Sequence, residues 1–208
     1  MSLPLFLTPK NKYPMGIAVG ILITASYLSS NHVHFLEPKL LPLSTVDQSI
    51  PFIPETVWIY ISDYLFCFIV YVLCKNLINL NKYLYAFLAL QAGSILIFLL
   101  WPTTYPRELF PLPPSLDGLT YQTFQMLRKA DTPMNCCPSL HVSSVYLCSF
   151  NFLKEQREKF RWFLGWATAV AISTLTTKQH YLIDVVTGLA IALASYWIFF
   201  KKVTYRSI

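Results

Sequence analysis

Cys137-Pro138-Ser139-Leu140-His141 reads as the mouth of a membrane helix. Proline suits a first helical position, where its missing N–H costs nothing, so the pattern predicts a helix opening at Pro138 with Ser139 and His141 in its first turn. The unpaired amides there and the positive end of the helix dipole suit an anion such as phosphate. About forty residues later comes a second imidazole with a carboxylate, His180-Tyr181-Leu182-Ile183-Asp184. Whether the two stretches meet depends on how many times the chain crosses the membrane between them.

The chain has 208 residues, 55% hydrophobic and 12% charged, with a mean hydropathy of +0.48. That is too apolar for an ordinary soluble domain and predicts an all-α integral membrane protein. At roughly 17–25 apolar residues per crossing, the length allows six transmembrane helices and one substantial loop. A single domain over residues 1–208 is expected, its core at about 51–200. The net charge of +6 comes without a basic patch interleaved with aromatics, so no nucleic-acid partner is expected. Cys67, Cys74, Cys136, Cys137 and Cys148 form neither a metal-spaced cluster nor an even disulfide framework, and read as packing residues.

Crossings are expected at 15–30, 57–74, 83–101, 139–153, 162–177 and 181–200. The first resembles a signal peptide in its basic flank, but no small-x-small cleavage site ends it, and a retained helix is preferred. The longest loop, 102–138, turns at Asp117-Gly118 and keeps Leu119, Phe124, Met126 and Leu127, which predicts a short surface helix in a lid or binding surface. The charged run 154–161 reads as a tight turn.

With six crossings, one side holds Lys10, Lys12, Lys75, Lys82, Lys154, Arg157, Lys159, Arg161, Lys201, Lys202 and Arg206, eleven of the sixteen basic residues. The positive-inside rule makes that side cytoplasmic, with both termini. Arg107, the 138–141 mouth and the 178–184 turn then emerge together on the extracytoplasmic face.

His180 and Asp184, four apart at a helix start, share a face. A carboxylate on one ring nitrogen leaves the other as a nucleophile or base, so His180 can attack phosphorus and form a phosphohistidine. His141 is placed to protonate the departing alkoxide. Arg107, Ser139 and Lys178, with the amides after Pro138, are the candidates for holding the phosphate oxygens. No metal is expected, because His180 and Asp184 lack an evident third ligand. Asp63, inside an apolar run, either faces the site or bonds a neighbouring helix. His32 and His34 read as ordinary interfacial residues.

Pro138-Ser139-Leu140-His141 and His180-Tyr181-Leu182-Ile183-Asp184 resemble the second and third signatures of the type 2 phosphatidic acid phosphatase superfamily, especially its branch near inositol phosphorylceramide synthases. The resemblance implies a six-helix bundle and metal-independent phosphoryl transfer without a cofactor. By position it makes His180 the nucleophile, Asp184 its partner, His141 the acid and Ser139 a phosphate ligand. Two departures stand out: Leu100 occupies the place of the first signature's lysine, with Glu108 after Arg107 in place of proline. Ser173-Thr174 replaces the Ser-Arg expected before the second histidine. The expected activity is hydrolysis of a lipid phosphomonoester or diphosphate, the substrate a phospholipid or a polyprenyl or other lipid phosphate, in a bacterial inner membrane. The alternatives are transfer of the phosphoryl or headgroup to an alcohol, and a non-catalytic lipid transporter or scaffold.

Overall fold

The structure, a computed structural model, describes residues 2–33, 35–154 and 156–207; His34 and Glu155 of the charged run lie outside the described residues. Its α-helices are α1 Lys12–His32, α2 Thr45–Ser49, α3 Val57–Leu73, α4 Leu77–Leu100, α5 Gly118–Ala130, α6 Leu140–Phe150, α7 Arg157–Thr176 and α8 Leu182–Trp197, the last running on through a π-turn at Ile198–Lys202. Two parallel strand pairs close the ends. β1 (Ser2–Leu5) pairs with β4 (Thr204–Ser207), and β2 (Lys39–Leu40) with β3 (Thr103–Thr104).

Helix α6 is the axis of the fold. It packs against α3, α4, α7 and α8, and every residue in it except Tyr146 is buried. Its composition permits this: Ser143, Ser144, Cys148 and Ser149 are small enough for neighbouring backbones to come close. The hydroxyls of Ser143 and Ser149 donate to the carbonyls of Leu140 and Val145 in their own helix, which satisfies them without a partner outside. The tightest approach is with α8, where a Cβ on Gly188 would stand 2.6 Å from the Ser139 carbonyl oxygen. Phe66 of α3 meets Phe163 and Trp166 of α7 edge-on, at 5.3 and 5.1 Å.

Four helical stretches are long and apolar enough to cross a membrane: Lys12–His32, Pro54–Leu73, Leu77–Leu100 and Leu182–Lys202. The other two expected crossings differ. Helix α6 has 11 residues, about 16 Å at 1.5 Å per residue, half of a hydrocarbon core of roughly 30 Å. Its apolar side chains meet protein instead of lipid. Helix α7 is 20 residues long, but it begins at Arg157, so residues 157–161 of the charged run expected as a turn form its start. Lys159 and Arg161 there lower its hydropathy.

The long loop between α4 and α6 is pinned. Asp117 caps α5, its Oδ1 accepting from the amides of Leu119 and Thr120 at 3.1 and 2.9 Å. Phe124 is fully buried against Phe52, and the Trp58 indole donates to Thr120 Oγ1 at 3.0 Å. The loop after α1 joins the same end. Its strand pairs with β3, and Ile53 N–H donates to the Thr176 carbonyl. The 138–141 and 178–184 stretches lie at this end, and the paired termini at the other.

Candidate active site

The helix mouth is built differently from the expectation. Ser139, not a residue within the first turn, is the N-cap of α6: its Oγ accepts from Val142 N–H at 3.4 Å, and the helix starts at Leu140. A serine oxygen satisfies an orphan donor, which proline cannot do, so the cap falls one residue after Pro138. Ser139 N–H donates to the Asp184 carbonyl at 3.1 Å, tying α6 to α8. Two of the first amides are thereby used, and those of Leu140 and His141 are left to the mouth.

The same tie brings the imidazoles together. The rings of His141 and His180 have centroids 6.0 Å apart, both nearly buried. His180 Nδ1 donates to Asp184 Oδ2 at 3.3 Å, and that oxygen also accepts from Tyr181 N–H at 2.9 Å, so the carboxylate holds both the ring and the start of α8. Asp184 Oδ1 is buried without a partner. The backbone amide of His180 donates to the carbonyl of Thr174. Thr174 itself is fully buried with its hydroxyl bonded to Ala171 O, so no cation enters from that position.

His141 has two neighbours on α3. Its Nδ1 shares a hydrogen bond of 3.1 Å with the Tyr60 hydroxyl, and its Nε2 stands 3.6 Å from Asp63 Oδ2. At 3.6 Å the second contact is electrostatic and not a hydrogen bond, so Nε2 can still donate to another oxygen. Asp63 therefore faces the site. Tyr60 carries no motif, and its only signal in the sequence is its spacing of three from Asp63, which puts both on one helical face.

The cations fall into two groups. Arg107 reaches the site end half-buried: Nη1 donates to the carbonyls of Arg128 and Asp131 at 2.8 and 2.9 Å, and Nη2 to Gln179 Oε1 at 3.2 Å. Its Nε points at the Tyr105 hydroxyl at 3.4 Å, so one of its five N–H groups is uncommitted. Lys178 turns away. At φ 54°, the left-handed residue that ends α7, it sends Nζ to the carbonyls of Asp47 and Ile50 at 2.7 and 2.6 Å. Burial lowers its ammonium from the usual lysine range, while Asp47 acts the other way. Asp47 also accepts from Leu182 N–H at 2.7 Å and from Ser44 Oγ, so this loop residue braces the start of α8 from 135 positions away. Leu100, at the position of the first signature's lysine, is exposed.

Cys136 and Cys137 sit beside the mouth as free thiols. Burial pushes both above the ordinary thiol range, which keeps them protonated and poor as nucleophiles. Among the described residues no three His, Cys, Asp or Glu side chains are grouped to hold a metal ion.

One buried histidine on α6 and a second in the turn before α8, the latter bonded to a carboxylate, meet at one end of the α-bundle. The model of the PAP2 superfamily matches residues 51–198, and the chain belongs to that superfamily. Membership makes it, at that level, an enzyme of phosphatase-type phosphoryl transfer. No curated protein and no solved structure matches the chain.

Proposed function

We propose that the protein is an integral membrane lipid phosphatase that works through a phosphohistidine on His180. Asp184 holds Nδ1, and Nε2 attacks phosphorus. The bond from phosphorus to the lipid oxygen breaks, and His141 gives that oxygen a proton from Nε2, its Nδ1 being turned to Tyr60. Water then attacks the phosphohistidine and gives a proton back to His141, and phosphate leaves. The amides of Leu140 and His141 and the free N–H of Arg107 face the equatorial oxygens in this scheme. Ser139 shapes the cradle as a cap, and Lys178 clamps the loop that carries His180.

The membrane setting completes the proposal. The four apolar helices, with α6 and α7 between them, make six passes in which α6 is sheltered by its neighbours. Pairing of β1 with β4 supports an even count, since it holds both termini at one end. The eleven basic residues at that end support a cytoplasmic position for it and an extracytoplasmic site.

The observation that carries the mechanism is the 6.0 Å separation of the two rings together with the Asp184 contact on His180. Incubating purified protein with a 32P-labelled lipid phosphate and quenching in base tests it. An acid-labile adduct on His180, absent from His180→Ala, is expected; release of phosphate by His180→Ala at the normal rate would refute it. One observation favours keeping phosphoryl transfer to an alcohol as a second reading, the one expected of the inositol phosphorylceramide synthase branch. Asp63 beside His141 helps that ring take a proton from an acceptor hydroxyl as well as from water. Phosphate release measured with and without an acceptor alcohol separates the two.

A further inference from the structure

A cavity of about 470 Å³ runs between α1, α3 and α4 and ends on α6. Its polar end is His141, Asp63 and Asp131, and its far end Tyr13 and Tyr71. From Tyr13 to Tyr27, both in its wall, α1 rises about 21 Å, more than the roughly 15 Å of one leaflet's hydrocarbon. The space exists because α1 touches the bundle lightly: between Lys12 and Ser30 it buries Val19 alone, and its hydrogen-bonded ties are at the two ends. Lys12 Nζ donates to the carbonyls of Val72 and Cys74, and Asn31 Oδ1 accepts from Thr132 N–H while Tyr27 donates to Asp131. Midway the wall thins to Gly20, where a Cβ would meet nothing within 4 Å.

The cavity opens at its side, where Ile17, Tyr64 and Phe68 of its wall are exposed, and walls this apolar do not hold water. The polar end has acceptors without donors: Asp63 Oδ1 and Gln91 Oε1 are buried and unpartnered. Among the described residues no Lys or Arg lines the cavity, so its occupant brings no phosphate into it. An alkyl chain ending in a hydroxyl, the donor those two oxygens lack, meets each condition.

We infer that this cavity holds the hydrocarbon chain of the lipid alcohol, with the oxygen that is released at His141, and that α1 sets the chain length the enzyme takes. The position of the oxygen rests on the phosphohistidine mechanism proposed above. Helix α1 lies outside the 51–198 stretch that matches the family model.

Gly20 stands seven residues from Tyr27, about 10 Å down the bore, beyond the reach of a hexyl chain and within that of a hexadecyl one. Hydrolysis of hexyl and hexadecyl phosphate is compared in wild type, Gly20→Leu and Gly93→Leu, the last adding the same bulk at an open position of α4 outside the cavity. Gly20→Leu is expected to lower kcat/KM for hexadecyl relative to hexyl phosphate by about tenfold or more, and Gly93→Leu to leave the ratio alone. An unchanged ratio in Gly20→Leu overturns the inference and makes the cavity a place for bulk lipid. A second measurement needs no turnover. Hexadecanol bearing a mid-chain diazirine is expected to label α1 in the His180→Ala protein, and Gly20→Leu to abolish that labelling. Labelling elsewhere, or labelling that survives Gly20→Leu, refutes the chain site whatever becomes of the phosphatase mechanism.

Discussion

Ten of the eleven residues of α6 are buried, against four of the twenty-one of α1. Both are apolar helices, yet one is enclosed by four neighbours and carries His141, while the other touches the core through little more than Val19 in its middle and leaves a cavity beneath it. On the proposed mechanism the difference separates two jobs. A nucleophile and an acid must be held to within a fraction of an ångström, which requires walls that cannot move. A chain that must be admitted and released needs a wall that is fastened yet not packed.

The largest break between the two regions is expected in chemistry. His180→Ala should remove turnover by at least about 10⁴-fold, as loss of a nucleophile does. His141→Ala should cost about 10²–10⁴-fold with alkyl phosphates, and far less with p-nitrophenyl phosphate, whose leaving group departs without a proton. Equal losses on both substrates would take the acid role from His141. In stability, Leu147→Ala in α6 should cost about 2–5 kcal/mol in thermal or denaturant unfolding, since the side chain is fully buried. Ile21→Ala in α1, where the residue is 65% exposed, should stay within about 0.5 kcal/mol.

Glycine sharpens the contrast. An alanine at Gly188 meets the Ser139 carbonyl oxygen at 2.6 Å, a backbone atom that cannot rotate aside. Gly188→Ala should therefore cost up to about 3 kcal/mol by overpacking and lower kcat beyond its effect on folding, because α6 carries His141 and α8 carries Asp184, which holds the His180 ring. Gly20→Ala in α1 meets nothing and should leave stability equal or slightly raised. Similar losses from both would mean that α1 is packed as tightly as α6.

What is legible in the chain follows the range of the interaction. His180 and Asp184 are readable as a pair from their spacing of four, although His180 stands just before the N-cap of α8 and not on its face, and the Asp117-Gly118 turn with the apolar residues after it reads as a short surface helix, which is α5. Residues whose partners lie far off are not readable in this way. Asp47 braces α8 from a loop with no motif, Tyr60 reaches His141 across 81 positions, and Lys178, a cation in the right place, spends its charge on two carbonyls. Hydropathy misses the surroundings of α6 for a related reason: it scores a side chain as apolar without saying whether lipid or protein will meet it. The start of the helix is misplaced by two residues because proline and serine compete for it, and the serine oxygen prevails.

The last contrast concerns the fastening between the two regions, the 2.6 Å hydrogen bond from Tyr27 of α1 to Asp131 just before the helix mouth. Burial raises the Asp131 carboxyl above the usual range, opposed by Tyr27 and, more weakly, by His180 and Arg107. Between its ordinary and its raised value the folded chain therefore binds more protons than the unfolded one, so this residue makes stability fall as pH rises through that window. Tyr27→Phe removes the donor that favours the charged form, which raises the carboxyl further and steepens the fall. The two proteins should unfold alike below the window and differ by about 1.5 kcal/mol above it, the low end for a hydrogen bond to a charged group. A difference that is constant with pH would mean that Tyr27 serves by packing alone, and α1 would then be held to the site end by Asn31 and its contacts with Thr132.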